Sequence, residues 1–339
     1  MKENRFERGP LLDKDGYLTA IGYDFSHSKE YKRCDIKAKE NRIKEWDIYT
    51  IMNDKFMFSI KLIDLSTIKA IILNFIDFLS NEKLEKVIRI NKNEQFVIPS
   101  SSLIGVIKYE GKGISLNLES ANKKSTIKLS VDDFMEKKLR ADIYLNRSLE
   151  NSMNNIYPFS KRKKLFLYEE KANLINANGY LKINEKYYEF TPTSYCSLVS
   201  SRGALPHFIT HYQAFLNGVN KGKKFALALG YGLTNETDNE NALYIDDEVY
   251  KLSDVRFTIP INPKGKYDYL KEWNIASSDG LISITFKPVS HSETLFKKLF
   301  MSMKENVTFG EFKGFVTING EVIEFEEIYG YALKAYFKW

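Results

Sequence analysis

What most constrains this chain is a repeated pattern of short runs in which apolar and polar residues alternate, cut at close intervals by dipeptides that tolerate a left-handed backbone. The strongest case is "FVTINGEVIEF", where Asn319-Gly320 separates two alternating runs. Asn-Gly accepts positive φ at both turn positions, so it predicts a two-residue hairpin. "GYLKINEKYYEF" repeats the pattern around Asn184-Glu185, "IYTIMNDKFMFSIKLIDLS" around Asn53-Asp54, "IGVIKYEGKGISLNLES" around Gly111 to Gly113, and "NALYIDDEVYKL" around Asp246-Asp247. Turns at this density, with little sustained helical periodicity, predict an all-β antiparallel architecture and exclude a parallel sheet with crossover helices.

Composition agrees. Aromatic residues make up 14% of the 339 residues, with 23 Phe and 21 Tyr. Such rings suit a pleated surface better than a helix, where they lose rotamer freedom. Two segments nevertheless predict short helices. "VDDFMEKKLRAD" offers Asp132 or Asp133 as an N-cap, with Lys137, Lys138 and Arg140 toward its end. "PHFITHYQAFLNG" sets Phe208, Tyr212 and Phe215 at helical offsets before Asn217-Gly218, a good C-cap. The polar stretch "NLINANG", residues 173–179, is the expected hinge between an N-terminal domain of residues 1–176 and a C-terminal domain of residues 177–339, each long enough for one eight-stranded barrel.

Several function classes are disfavoured. The net charge of +6 is spread along the chain, and its longest basic run, Lys161-Arg162-Lys163-Lys164, reads as a solvated turn. No nucleic-acid-reading motif accompanies it, so no nucleic-acid partner is expected. Cys34 and Cys196 match no metal or redox spacing and read as reduced thiols. The polar N-terminus and the lack of an 18-residue apolar stretch predict a cytoplasmic protein without a membrane span.

The segments "GPLLDKDGYLTAIGYDFS", "RIKEWDIYTIMNDKF", "FVIPSSS", "NIYPFSKRKK", "EKANLINANG", "SSRG", "GYGLTNETDNENALYIDDEVYKL" and the closing "FGEFKGFVTINGEVIEFEEIYGYALKAYFKW" occur in the order seen in a bacterial family, domain of unknown function 2804. The resemblance runs from Gly9 to Trp339 and takes in Trp46, Trp273 and Trp339. It implies a pair of lipocalin-like barrels similar to the calycin relatives carotenoid hydratase and tocopherol cyclase, which handle long prenyl chains. It carries no activity with it. Arg202-Gly203 and Pro206 match the family pattern, whereas Val199 stands where that pattern has an acidic residue. Leu205, His211 and Gln213 fall at or near its tryptophan positions, so the chain reads as a divergent member in which a site lined by this segment has been rebuilt.

Six candidate residues follow from residue chemistry. His207 and His211, four apart on the predicted helix, share a face, but no third ligand or intervening glutamate accompanies them, so no metal is expected. His211 suits general acid or base work near neutrality, and Glu240 offers a second acid. Arg202, freed by the following glycine, either aims into a cavity or bridges two strands through a buried carboxylate. Glu240-Asn241 orients a ligand at a barrel mouth or caps a turn. "ALALGYGL", which contains Tyr231, has the wrong spacing for a phosphate cradle; its small residues make room for a ligand or for a tight interior.

The leading expectation is a cofactor-free binder of a small, largely apolar ligand, with Arg202, His207, Tyr231 and Asn241 as contacts. The alternatives are a lyase or isomerase using His211 or Glu240 on a lipophilic, prenyl-like substrate, and a structural or interaction module with filled barrels.

Overall fold

The computed structural model describes residues 5–91, 93–148, 152–159, 164–233, 239–298 and 301–338. Strands dominate, and the only helical turns among the described residues are two 3-10 turns, Arg33–Asp35 and Glu40–Arg42. The chain divides into two compact units, Met1–Leu205 and Pro206–Trp339.

The first unit contains strands β1 (Gly9–Pro10), β2 (Gly22–Asp24), β3 (Lys29–Glu30), β4 (Ile43–Met52), β5 (Phe56–Asp64), β6 (Lys69–Asp77), β7 (Lys83–Ile90), β8 (Ile104–Gly111), β9 (Ile114–Ala121), β10 (Lys124–Val131), β11 (Leu139–Asn146), β12 (Ser152–Pro158), β13 (Phe166–Ile183), β14 (Lys186–Glu189) and β15 (Tyr195–Ala204). Its large sheet runs β7-β6-β5-β4-β15-β13-β11-β10-β9-β8, with every pairing antiparallel. The end strands β7 and β8 are not hydrogen-bonded to each other, yet Leu84 and Ile88 of one and Ile107 and Tyr109 of the other enter a single buried core. One core shared by both ends requires the sheet to curl, as right-handed strand twist favours. The result is a half-barrel.

The second unit contains β16 (Phe208–Asn220), β17 (Lys223–Tyr231), β18 (Ala242–Ile245), β19 (Glu248–Lys251), β20 (Val255–Thr258), β21 (Trp273–Ser277), β22 (Ile282–Lys298), β23 (Met301–Ile318) and β24 (Glu321–Lys338). They form one curled sheet in the order β19-β18-β17-β16-β24-β23-β22-β21-β20. Its core is aromatic and aliphatic, with Phe225, Trp273, Phe286, Phe312 and Phe325 at its centre.

The predicted hairpins form. Asn319 (φ 52°) and Gly320 (φ 84°) turn β23 into β24, Asn184 (φ 50°) turns β13 into β14, and Asp246 (φ 51°) turns β18 into β19. Both predicted helices are absent. Asp132 to Lys138 make a tight turn between β10 and β11, with positive φ at Met135 and Glu136, where the Glu136 N–H donates to Asp133 Oδ1 at 2.8 Å. Phe208 to Asn217 lie in strand β16, paired with β17 and β24, and the chain actually reverses at Lys221-Gly222.

The expected hinge at 173–179 is also corrected. It lies inside β13, whose register slips between Ala172 and Ile175 at a bulge where Leu174 takes φ 54°. Asn176 and Asn178 are the outward half of an alternating strand whose inward half is Ile175 and Ala177, so they read as a linker only when the alternation is missed. The units part after Leu205, not after residue 176. No helix among the described residues is long and apolar enough to cross a membrane.

Candidate functional site

Side chains on a strand alternate faces, so the core residues identify the inner face of each strand in the first unit. Tyr49 and Ile51 of β4 are in the core, which turns Glu45 and Asp47 inward too. Cys196 and Leu198 do the same for Ser200 and Arg202 of β15, and Ala172 for Tyr168 and Glu170 of β13. The cross-strand register sets Arg202 beside both Glu45 and Tyr168, and Ser200 beside both Asp47 and Glu170. One end of the half-barrel therefore carries an ionisable layer. A second apolar cluster built from Phe6, Leu11, Leu18, Tyr31 and Ile36 with Phe166 and Tyr168 lies beyond it.

Buried charges persist only when paired. Arg202 donates to Asp47 Oδ1 at 2.9 Å and Oδ2 at 3.2 Å, and to the carbonyls of Trp46 (3.0 Å), Pro99 (2.9 Å) and Ser201 (2.9 Å). Burial would weaken the guanidinium's hold on its proton, and Asp47 reverses that, raising its pKa. Arg202 therefore sits as a strand-bridging arginine. Deeper in the layer Glu170 receives Arg147 and the Ser102 hydroxyl, and His27 Nδ1 lies 3.7 Å from it. Burial would raise the Glu170 carboxyl's pKa; Arg147, His27 and Ser102 instead hold it well below the usual carboxylate range.

At this end a cavity of about 350 Å³ opens among Tyr31, Arg33, Glu45, Asp64, Lys69, Val97, Ile98 and Ser100. Its polar groups converge. The Tyr31 hydroxyl donates to Glu45 Oε1 at 2.6 Å, and Arg33 pairs with Glu45 and donates to Ser66 Oγ at 2.9 Å. Lys69 Nζ donates to the Phe96 carbonyl at 2.8 Å and stands 3.4 Å from Asp64. Burial, then the Glu45 charge, push the Tyr31 phenol far above its ordinary value, so it is a fixed O–H donor. Val97 and Ile98 supply an apolar wall.

The residues singled out from sequence lie mostly elsewhere. His207 precedes β16 and packs edge-on against Phe208, while His211 stacks on Phe337 at 5.3 Å in β16. In an extended strand the four-residue spacing no longer creates a shared helical face, and among the described residues no group of three His, Cys, Asp or Glu side chains is placed to hold a metal. Tyr231 lies against Tyr212 under the Arg256 guanidinium. Asn241 accepts from the Gly230 N–H at 2.6 Å and donates to the Ser253 carbonyl at 2.9 Å, locking the turn before β18. Glu240 is buried against Gly230, where an added Cβ would stand 1.5 Å from Glu240 Oε1. Gly230, the first glycine in "ALALGYGL", thus makes room for a side chain of the same chain. The run Lys161-Arg162-Lys163 lies outside the described residues.

Tyr31, Arg33, Glu45 and Lys69 did not stand out in the sequence. Tyr31 and Arg33 come from a segment without strand periodicity, and "IKEWDIYTI" looks like any half-exposed strand. The missing signal was which face of β4 turns inward.

A family description, domain of unknown function (DUF2804), matches residues 2–339. No curated protein matches the chain. Among solved structures, CghA with Sch210972 is similar at a TM-score of 0.60 and 11% identity, covering 97% of each chain. Kievitone hydratase from Nectria haematococca is similar at 0.51 and 13%, covering 99% of this chain and 98% of that one. A putative AttH from Nitrosomonas europaea is similar at 0.53 and 9%, covering 90% and 95%. These likenesses establish the lipocalin-like fold.

Proposed function

Since the chain belongs to the DUF2804 family, whose description assigns no activity, we propose its function from the first unit: it binds a small lipophilic molecule bearing a neutral hydroxyl or carbonyl head in the Tyr31–Glu45–Lys69 cavity. The observation carrying this reading is the cavity itself, with convergent donors and acceptors on one side and Val97 and Ile98 on the other. That mixture and that size are what small-molecule sites require. The head is neutral because Arg33 and Lys69 are already paired, and Glu40, Glu45 and Asp64 outnumber them. An anionic head would meet no uncompensated positive charge. Two of the similar structures, a hydratase and a protein solved with Sch210972, support a small organic ligand by analogy of fold.

A second reading, acid–base chemistry on such a molecule, is favoured by one contact, the 2.6 Å Tyr31–Glu45 hydrogen bond. It would move the proton-transfer role from His211 and Glu240 to Glu45, with Tyr31 serving only to position that carboxylate through its O–H. Native mass spectrometry of protein purified from its own host tests the binding reading. The expected spectrum shows a co-purifying small molecule that Val97→Trp, an exposed wall substitution, removes while the melting temperature holds. A bare protein mass, or an adduct that Val97→Trp leaves in place, would overturn it.

A further inference from the structure

Outside the cavity lining, three polar side chains from distant parts of the sequence meet. Ser101 Oγ lies 3.3 Å from His27 Nε2, and His27 Nδ1 lies 3.7 Å from Glu170 Oε2. A hydroxyl on one ring nitrogen and a carboxylate on the other is the order of groups that activates a serine nucleophile. The Leu103 N–H donates to Ser101 Oγ at 3.1 Å and holds that oxygen beside the imidazole. Ser101 and His27 are only partly buried, whereas Glu170 is sealed beneath them and kept ionised by Arg147 and Ser102. That division suits a nucleophile and base that must meet a substrate and an orienting acid that must not.

The structural alternative is a turn-capping serine tied to a packed histidine. Turn capping is fulfilled by the Leu103 contact alone. It does not account for an imidazole set between the hydroxyl and a buried carboxylate.

The geometry points to a serine esterase site in which Ser101 is the nucleophile, His27 the general base and Glu170 a positioning residue, acting on carboxylic esters. In the step inferred, Ser101 Oγ bonds to the acyl carbon as the ester C–O bond breaks. The serine proton passes to His27 Nε2 and then to the departing alkoxide. Water next cleaves the acyl-serine, giving its proton to His27 and regenerating the Ser101 hydroxyl, so that acid and alcohol leave. This activity goes beyond ligand binding and does not depend on what fills the cavity.

The test is covalent labelling of the full chain with an alkyl fluorophosphonate, followed by intact mass measurement and peptide mapping. One adduct per chain is expected, at Ser101, with none in Ser101→Ala. His27→Gln should slow labelling by about 100-fold or more, the usual loss when a general base is removed. Glu170→Gln should lower the limiting labelling rate while leaving the half-saturating probe concentration unchanged, a split that mere distortion of the site would not give. Hydrolysis of p-nitrophenyl butyrate should fall in the same order. An unmodified Ser101 in the folded wild-type protein, an adduct at another residue, or equal labelling of wild type and a folded His27→Gln would each overturn the assignment. The wild-type map decides the question even where a variant fails to fold.

Discussion

Removing the Arg202 side chain tests how the charged layer is held. Arg202→Met keeps most of the aliphatic volume and deletes five hydrogen bonds, two of them to Asp47, whose side chain is only 2% exposed. The stranded carboxylate is the main cost. Breaking one side of a buried ion pair destabilises by about 3–5 kcal/mol, and the orphaned carbonyls of Trp46, Pro99 and Ser201 keep the figure toward the top of that range. Replacing both partners, as Arg202→Met with Asp47→Leu, removes the uncompensated charge, and the double variant should lie within about 2 kcal/mol of wild type. The assay is urea unfolding read by amide exchange in peptides of β4 and β15, which isolates the first unit from transitions in the second. A single variant costing under about 1 kcal/mol, or a double variant no more stable than Arg202→Met, would refute the argument that pairing is what keeps this layer buried.

Three further outcomes are expected. Gly230→Ala drives a Cβ into the Glu240 carboxylate and should lower stability by about 1–3 kcal/mol, seen as a reduced melting temperature. Gly320→Val places a branched residue where φ is 84° and should cost about 1–2 kcal/mol in the same measurement. Asp77 accepts from Lys186 at 2.7 Å, the Ser80 N–H at 3.0 Å and Tyr188 at 3.1 Å; burial raises its pKa, but these bonds outweigh it and bring the value down to about 2. A depressed carboxylate stabilises fully above its ordinary range and loses that contribution as pH falls through about 2, so the deficit of Asp77→Asn, about 1–2 kcal/mol after discounting for the exposed Lys186, should be present at pH 7 and vanish near pH 2.

Turn chemistry was the legible part of the fold. Asn184, Asp246 and Asn319 adopt the left-handed conformation that Asn and Asp tolerate, and each closes its expected hairpin. The segment from Phe208 to Asn217 misled because both faces of β16 are buried from Gln213 to Asn217, where Gln213 and Phe215 are buried along with Ala214 and Leu216. Where polarity does not alternate, aromatic spacing fits a helix as well as a strand. The bulge at Leu174 hid the period of β13 in the same way, by shifting it one residue partway along.

The candidate site was less legible, for a geometric reason. Arg202 could be singled out, but its partner Asp47 lies far away in the sequence and only strand order brings the two together. Ser101, His27 and Glu170 come from three separate segments, none carrying a local signature, and they converge only because the 99–103 loop and the residues around His27 cross the same end of the curled sheet.

The most direct measurement is amide hydrogen exchange on protein carrying its co-purified molecule, compared with the same protein after organic extraction and refolding. The expected difference is added protection confined to residues 31–45, 64–69 and 96–100, the segments around the first unit's cavity. Protection that appears instead around Tyr212, Tyr267 and Lys334 in the second unit, with these segments unchanged, would contradict the account.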